Sequence, residues 1–96
     1  MITHLVFFRL KDTSPGSLER TKSVLEGLRG KVPDLLSLEV GVNIVEQSQA
    51  YDLALITKFP HLAALDAYQV HPEHLKVVAH MGEVLREPSV SVDFES

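Results

Sequence analysis

The sequence predicts an α+β fold in which four strands make one antiparallel sheet with helices on one of its faces. Three observations predict it. Apolar residues alternate in four short stretches: residues 2–10, 36–44, 51–59 and 90–94. Between the first and second, apolar residues recur at steps of three and four, the helical period. Between the third and fourth, prolines punctuate two shorter helical segments.

Taken in order, the first strand carries Ile2, His4, Val6, Phe8 and Leu10 on one face and Thr3, Leu5, Phe7 and Arg9 on the other. Leu5 and Phe7 make the second face partly apolar, so both sides are expected to be covered. Ser14-Pro15 is a helix start, with Ser as N-cap and Pro at the first helical position. Leu18, Thr21, Leu25, Leu28 and Val32 form its narrow apolar stripe, and Gly30 is the expected C-cap of a helix over residues 15–29. Leu36, Leu38, Val40, Val42 and Ile44 alternate with polar or small residues as the second strand, with Gly41 a candidate bulge.

The third strand puts Tyr51, Leu53, Leu55 and Phe59 on one face and Ala54 and Ile56 on the other. Pro60 opens a short helix carrying Leu62, Leu65 and Tyr68. Pro72 begins the next, with Leu75, Val78 and Leu85 expected inward, and Pro88 stops it. Val90, Val92 and Phe94 alternate with Ser89, Ser91 and Asp93 in the last strand. The order is β-α-β-β-α-(α)-β, two βαβ-like halves. Its simplest packing is the ferredoxin-like βαββαβ arrangement, a single domain over residues 1–96. Helices then cover one side of the sheet. Leu5, Phe7, Ala54 and Ile56 on the other side predict a homodimer whose two sheets face each other.

Composition narrows the function. The 96 residues include 45% hydrophobic and 23% charged side chains, with a formal net charge of -4 and no Lys/Arg cluster, so neither nucleic acid nor a membrane is an expected partner. The absence of cysteine excludes disulfides, thiolate metal sites and cysteine nucleophiles. Without a signal-like start or a long apolar run, a cytoplasmic protein is expected.

The chemistry-bearing side chains concentrate in Tyr68-Gln69-Val70-His71-Pro72-Glu73-His74. Pro72 lacks an N–H and pushes His71 out of the α region, so one helix ends there and another begins. His74 as an acid/base and Tyr68 as a hydroxyl donor could abstract a proton beside a carbonyl and hold the enolate oxygen. The plainer reading packs Tyr68 in the core with its hydroxyl on a backbone carbonyl, and has His74 brace the junction. His4 and His71 are the candidate binding residues. Their plainer roles are a hydrogen-bonded core histidine and a helix terminator. His61 and His80 read as surface or helix-end residues. Glu73 and His74, as sequence neighbours on a helix, point apart, so no metal site is assigned, and no cofactor. There is no phosphate-binding loop, dinucleotide fingerprint or nucleophile elbow.

The chain resembles the stress-responsive dimeric α/β-barrel (Dabb) family. The resemblance rests on Ile2-Thr3-His4-Leu5-Val6-Phe7-Phe8-Arg9-Leu10-Lys11, on Leu38-Glu39-Val40-Gly41 and on Tyr51-Asp52-Leu53-Ala54-Leu55. It rests most on Tyr68-x-x-His71-Pro72-x-His74 with the closing Val92-Asp93-Phe94. It implies a ferredoxin-like monomer and a two-fold dimer whose sheets form a barrel. Some plant members resemble polyketide cyclases, which use the Tyr and last His of this motif. These map onto Tyr68 and His74, while aliphatic Leu53 and Leu55 and a first helix without tyrosine depart from the cyclase pattern. Two readings follow. One is a small-molecule-binding protein with cyclase-like acid/base chemistry. The other is a non-catalytic stress-response or interaction protein whose motif only shapes the fold. The related barrel monooxygenases share the architecture and would compete if the pocket held haem or an oxidisable aromatic.

Overall fold

The computed structural model describes residues 1–96. Strand β1 (Ile2–Phe8) is followed by α1 (Pro15–Glu26), β2 (Ser37–Val42), β3 (Leu53–Phe59), α2 (Leu62–Gln69), α3 (Pro72–Val84) and β4 (Val90–Glu95). The strands lie in the order β2-β3-β1-β4, and every neighbouring pair is antiparallel. This is the ferredoxin-like βαββαβ arrangement, with its second helical region split in two.

The two-residue period of the strands decides what is buried. Ile2, Val6 and Phe8 of β1 and Leu53, Leu55 and Phe59 of β3 point to the helices and are buried, as are Leu38 and Val40 of β2. Leu25 and Leu28 close over them from the α1 side. Burying each such side chain contributes about 1.5–3 kcal/mol before chain entropy is counted. Leu5, Phe7, Ala54 and Ile56 alternate onto the opposite face, where they are only half-covered. The register pairs Phe7 with Val90, Leu5 with Val92 and Thr3 with Phe94. Val90, Val92 and Phe94 therefore extend that open apolar face, at 44%, 53% and 44% exposure.

Element ends differ from the sequence expectation for identifiable reasons. β1 stops at Phe8 because the next residues bond elsewhere: Lys11 N–H donates to the Val84 carbonyl (3.0 Å) and Arg86 N–H to the Arg9 carbonyl (2.8 Å). Leu10 thus pairs with Leu85 and ties the end of α3 to the end of β1. Helix α1 starts as expected, Ser14 Oγ accepting from Ser17 N–H, but it ends at Gly27. Gly30 instead serves the following turn, at φ 78°, where a side chain would be strained. Gly41 pairs in unbroken register with Ala54, so there is no bulge. Leu36 and Ile44 fall outside β2 and are exposed.

The helical region also shifts. Helix α2 is capped by His61, one residue after Pro60, and buries Ala64, Leu65 and Tyr68 while Leu62 stays exposed. In α3 the buried stripe runs through Val77, Met81 and Val84, and Leu85 just past its end packs inward as expected, whereas Leu75 and Val78 do not join the core. Leu75 and Val78 are about half exposed, at 51% and 49%. His80 sits on the inner side of the helix, half-buried, with Nε2 closed off from solvent and without a hydrogen-bond partner. The sequence reading failed here because several starting phases of a short helix fit one hydrophobic pattern, and only the packing partner selects among them.

Candidate functional site

A cavity of about 430 Å³ lies between the sheet and α3. Its floor comes from β1 and β3, through His4, Val6, Phe8 and Leu55. Its far wall comes from α3, through His74, Val77, Val78 and Met81. Tyr68 and Gln69 close the end where α2 stops, and Ser89 and Ser91 contribute the rim beside β4.

The bend between α2 and α3 sets the geometry. His71 is the N-cap of α3, extended at φ -67° and ψ 138°, and its Nδ1 accepts from Glu73 N–H (3.1 Å). Pro72 occupies the first helical position, where no N–H is required. Tyr68 near the end of α2 and His74 in the first turn of α3 consequently meet across a corner, with ring centroids 4.3 Å apart. His4 on β1 approaches Tyr68 edge-on, with centroids 6.1 Å apart. Phe59 backs the tyrosine from β3 at 5.0 Å. The structure thus brings His4, Tyr68 and His74 to one cavity. His71 is spent on the helix cap and does not line it.

Each polar group has a defined state. His74 Nδ1 faces the Gln69 carbonyl at 3.2 Å. A carbonyl only accepts, so Nδ1 carries the proton, and the neutral ring keeps its lone pair on Nε2. Burial holds the His74 imidazole below its usual pKa, against the opposing pull of the Gln69 carbonyl, and nearby His4 and His71 push it the same way as burial. At neutral pH His74 is an uncharged base. Tyr68 is 1% exposed, and burial pushes its phenol up to about 12, so it remains a donor throughout the physiological range. The backbone carbonyl partner anticipated for its hydroxyl is not formed.

Asp93 is the residue that sequence reasoning passed over. It stands opposite His4 in the β1–β4 register, and its Oδ1 pairs with His4 Nδ1. A carboxylate accepts, so His4 donates through Nδ1, which fixes its ring on the cavity floor. Strand alternation set Asp93 apart from Val92 and Phe94, but the partner opposite it required the register. A base beside a buried hydroxyl donor, with a second imidazole braced by a carboxylate, can move a proton and stabilise the charge left behind.

Four antiparallel strands with three helices on one face and this aromatic–imidazole corner define a ferredoxin-like α/β protein. The chain belongs to the stress responsive A/B barrel domain (Dabb) family, whose model matches residues 2–96. It is 35% identical over 82 residues to an uncharacterised protein of Streptomyces coelicolor, covering 82% of this chain and 84% of that one. Among solved structures it is similar to a dimeric ferredoxin-like protein of Thermobifida fusca, at 28% identity and a TM-score of 0.85, covering 99% of this chain and 90% of that one. A dimeric protein of ferredoxin-like fold from Bacteroides fragilis is also 28% identical, with a TM-score of 0.82 and coverage of 99% and 95%.

Proposed function

We propose that the protein is a homodimer that binds a small, partly apolar molecule in the cavity between sheet and α3 and performs acid/base chemistry on it. The observation that carries this reading is the Tyr68–His74 pair, 4.3 Å between ring centroids, on the wall of a cavity of about 430 Å³. Cavities of this size and mostly apolar lining suit small ligands. His74 Nε2 takes a proton from the carbon beside a carbonyl, and the electron pair left on that carbon delocalises onto the oxygen. Tyr68 O–H donates to that oxygen as it gains charge. In a cyclase-like reaction the carbanion then attacks a second carbonyl of the same molecule, forming a C–C bond. The proton held by His74 passes to the new alkoxide, so nothing is consumed. His4, oriented by Asp93, binds and positions the carbonyl end.

The dimer reading rests on the open sheet face, where Leu5, Phe7, Ala54 and Ile56 continue into Val90, Val92 and Phe94. The similar dimeric proteins support it. Pairing through that face leaves the cavity, on the helix side, accessible.

A second reading is favoured by the structural duties of the same motif. Tyr68 fills the core against Phe59, His71 caps α3, Pro72 starts it, and His74 braces the Gln69 carbonyl. On that reading the protein is a non-catalytic stress-response or interaction protein. His74→Ala and Tyr68→Phe separate the two. If the site is functional, His74→Ala abolishes ligand binding or turnover in a folded protein. Tyr68→Phe then weakens binding by about 1–3 kcal/mol, since only the hydroxyl is lost. Variants that bind normally but melt early make the motif structural.

A further inference from the structure

Resting on the cavity being a ligand site, we propose that its ligand is uncharged where it is enclosed: an apolar body ending in one hydroxyl or enolisable carbonyl, with no carboxylate, phosphate or ammonium group inside. The wall itself carries the argument. No lysine, arginine, aspartate or glutamate lines the cavity. Its polar members are two histidines, a tyrosine, a glutamine and two serines, and the rest of the lining is aliphatic, aromatic, proline, glycine or methionine. An anion entering this space loses its hydration and meets no lysine or arginine. His74 cannot supply the countercharge, because burial keeps it neutral. His4 cannot supply a surplus, because Asp93 already faces its Nδ1. A cation fares no better: it too loses its hydration, and the one nearby carboxylate, Asp93, is already engaged by His4.

The polar end is equally specific. Tyr68 offers a hydrogen, and His74 Nε2 offers a lone pair, from adjoining rings. A single hydroxyl satisfies both, accepting from Tyr68 and donating to His74. A carbonyl with an adjacent acidic C–H does the same across two neighbouring atoms. A carboxylate offers only acceptors, so it leaves His74 Nε2 facing a lone pair, and an ammonium leaves the Tyr68 hydroxyl without an acceptor. The remaining surface, from Val6 and Phe8 to Val77, Val78 and Met81, fits a hydrocarbon chain or ring.

The test uses three probes with one apolar body: para-butylphenol, para-butylbenzoate and para-butylbenzylammonium. Binding to the full chain is measured by calorimetry at neutral pH, with the His74 and Tyr68 ring resonances followed by NMR. The phenol is expected to bind and shift both rings, with each charged probe about a hundredfold weaker. Val78→Arg, a cavity-lining position 49% exposed on α3, should fold normally and shift the preference toward the benzoate. Benzoate binding as tightly as phenol to the unmodified protein overturns the neutrality inference while leaving the cavity as a binding site. No probe shifting His74 or Tyr68 overturns the binding-site reading, and this inference with it.

Discussion

His74 shows how one backbone contact assigns a role. The Gln69 carbonyl takes the Nδ1 proton, so the lone pair resides on Nε2 of a ring lining the cavity. Its pKa lies below the usual 6.5 because burial disfavours the charged form. The sign of the pH effect follows. The folded protein binds this proton less readily than the unfolded chain, so the stabilisation is complete above about pH 6.5 and is lost as pH falls through the lower, folded value. Thermal melts from about pH 8 to about pH 5 should show stability declining below the ordinary histidine range, and His74→Gln should flatten that decline. An identical pH slope in the two proteins would count against a depressed His74. Any His74-dependent turnover should likewise persist to pH values below 6.5, since the base stays unprotonated there.

At the scale of elements, both helices of the second half begin at a histidine. His61 Nδ1 accepts from Ala64 N–H at 3.2 Å, and His71 Nδ1 accepts from Glu73 N–H at 3.1 Å. Histidine is an unusual N-cap, yet an unprotonated ring nitrogen supplies the same acceptor as a Ser or Asp oxygen. His71→Asn should preserve the α3 cap, whereas His71→Ala should lower stability by about 1 kcal/mol in urea unfolding. Pro72→Ala restores an N–H and frees His71 to turn helical. It should destabilise the fold by about 1 kcal/mol and alter the His74 ring shifts, because the corner that brings Tyr68 and His74 together loosens. Unchanged melting and unchanged His74 resonances would show that the corner is held by Tyr68 packing on Phe59 instead.

For the whole molecule, the decisive feature is the uncovered sheet face. Seven apolar side chains from three strands share it: Leu5, Phe7, Ala54, Ile56, Val90, Val92 and Phe94. Covering several hundred Å² of such surface at about 25 cal/mol per Å² is a large gain even after association costs. Light scattering at micromolar concentration should therefore report a dimer. Phe7→Glu, placing a charge among Ala54, Tyr51 and Val90, should shift it to monomer with the fold intact by circular dichroism. A wild-type monomer under these conditions would overturn the dimer reading.

Strand alternation in the sequence sufficed for the two faces of β1 and β3, because a period of two leaves each side chain only one choice. Tyr51, expected beside Leu53, lies just before β3 and packs instead with Phe7 and Arg9 on the other face. Proline chemistry sufficed for the break between α2 and α3, because Pro72 restricts its own φ and the residue before it. The Tyr68, His71 and His74 spacing drew attention to a stretch of which Tyr68 and His74 line the cavity, but a three-residue step on one helix does not explain their meeting. The corner turns Tyr68 and His74 toward each other and assigns His71 to the cap. Three features depended on tertiary packing: the phase of α3, the enclosure of His80 and the pairing of Asp93 with His4. Each is a relation between elements distant in sequence, which no local period encodes. Asp93 and His4 are 89 residues apart and become neighbours only when β4 takes its place beside β1.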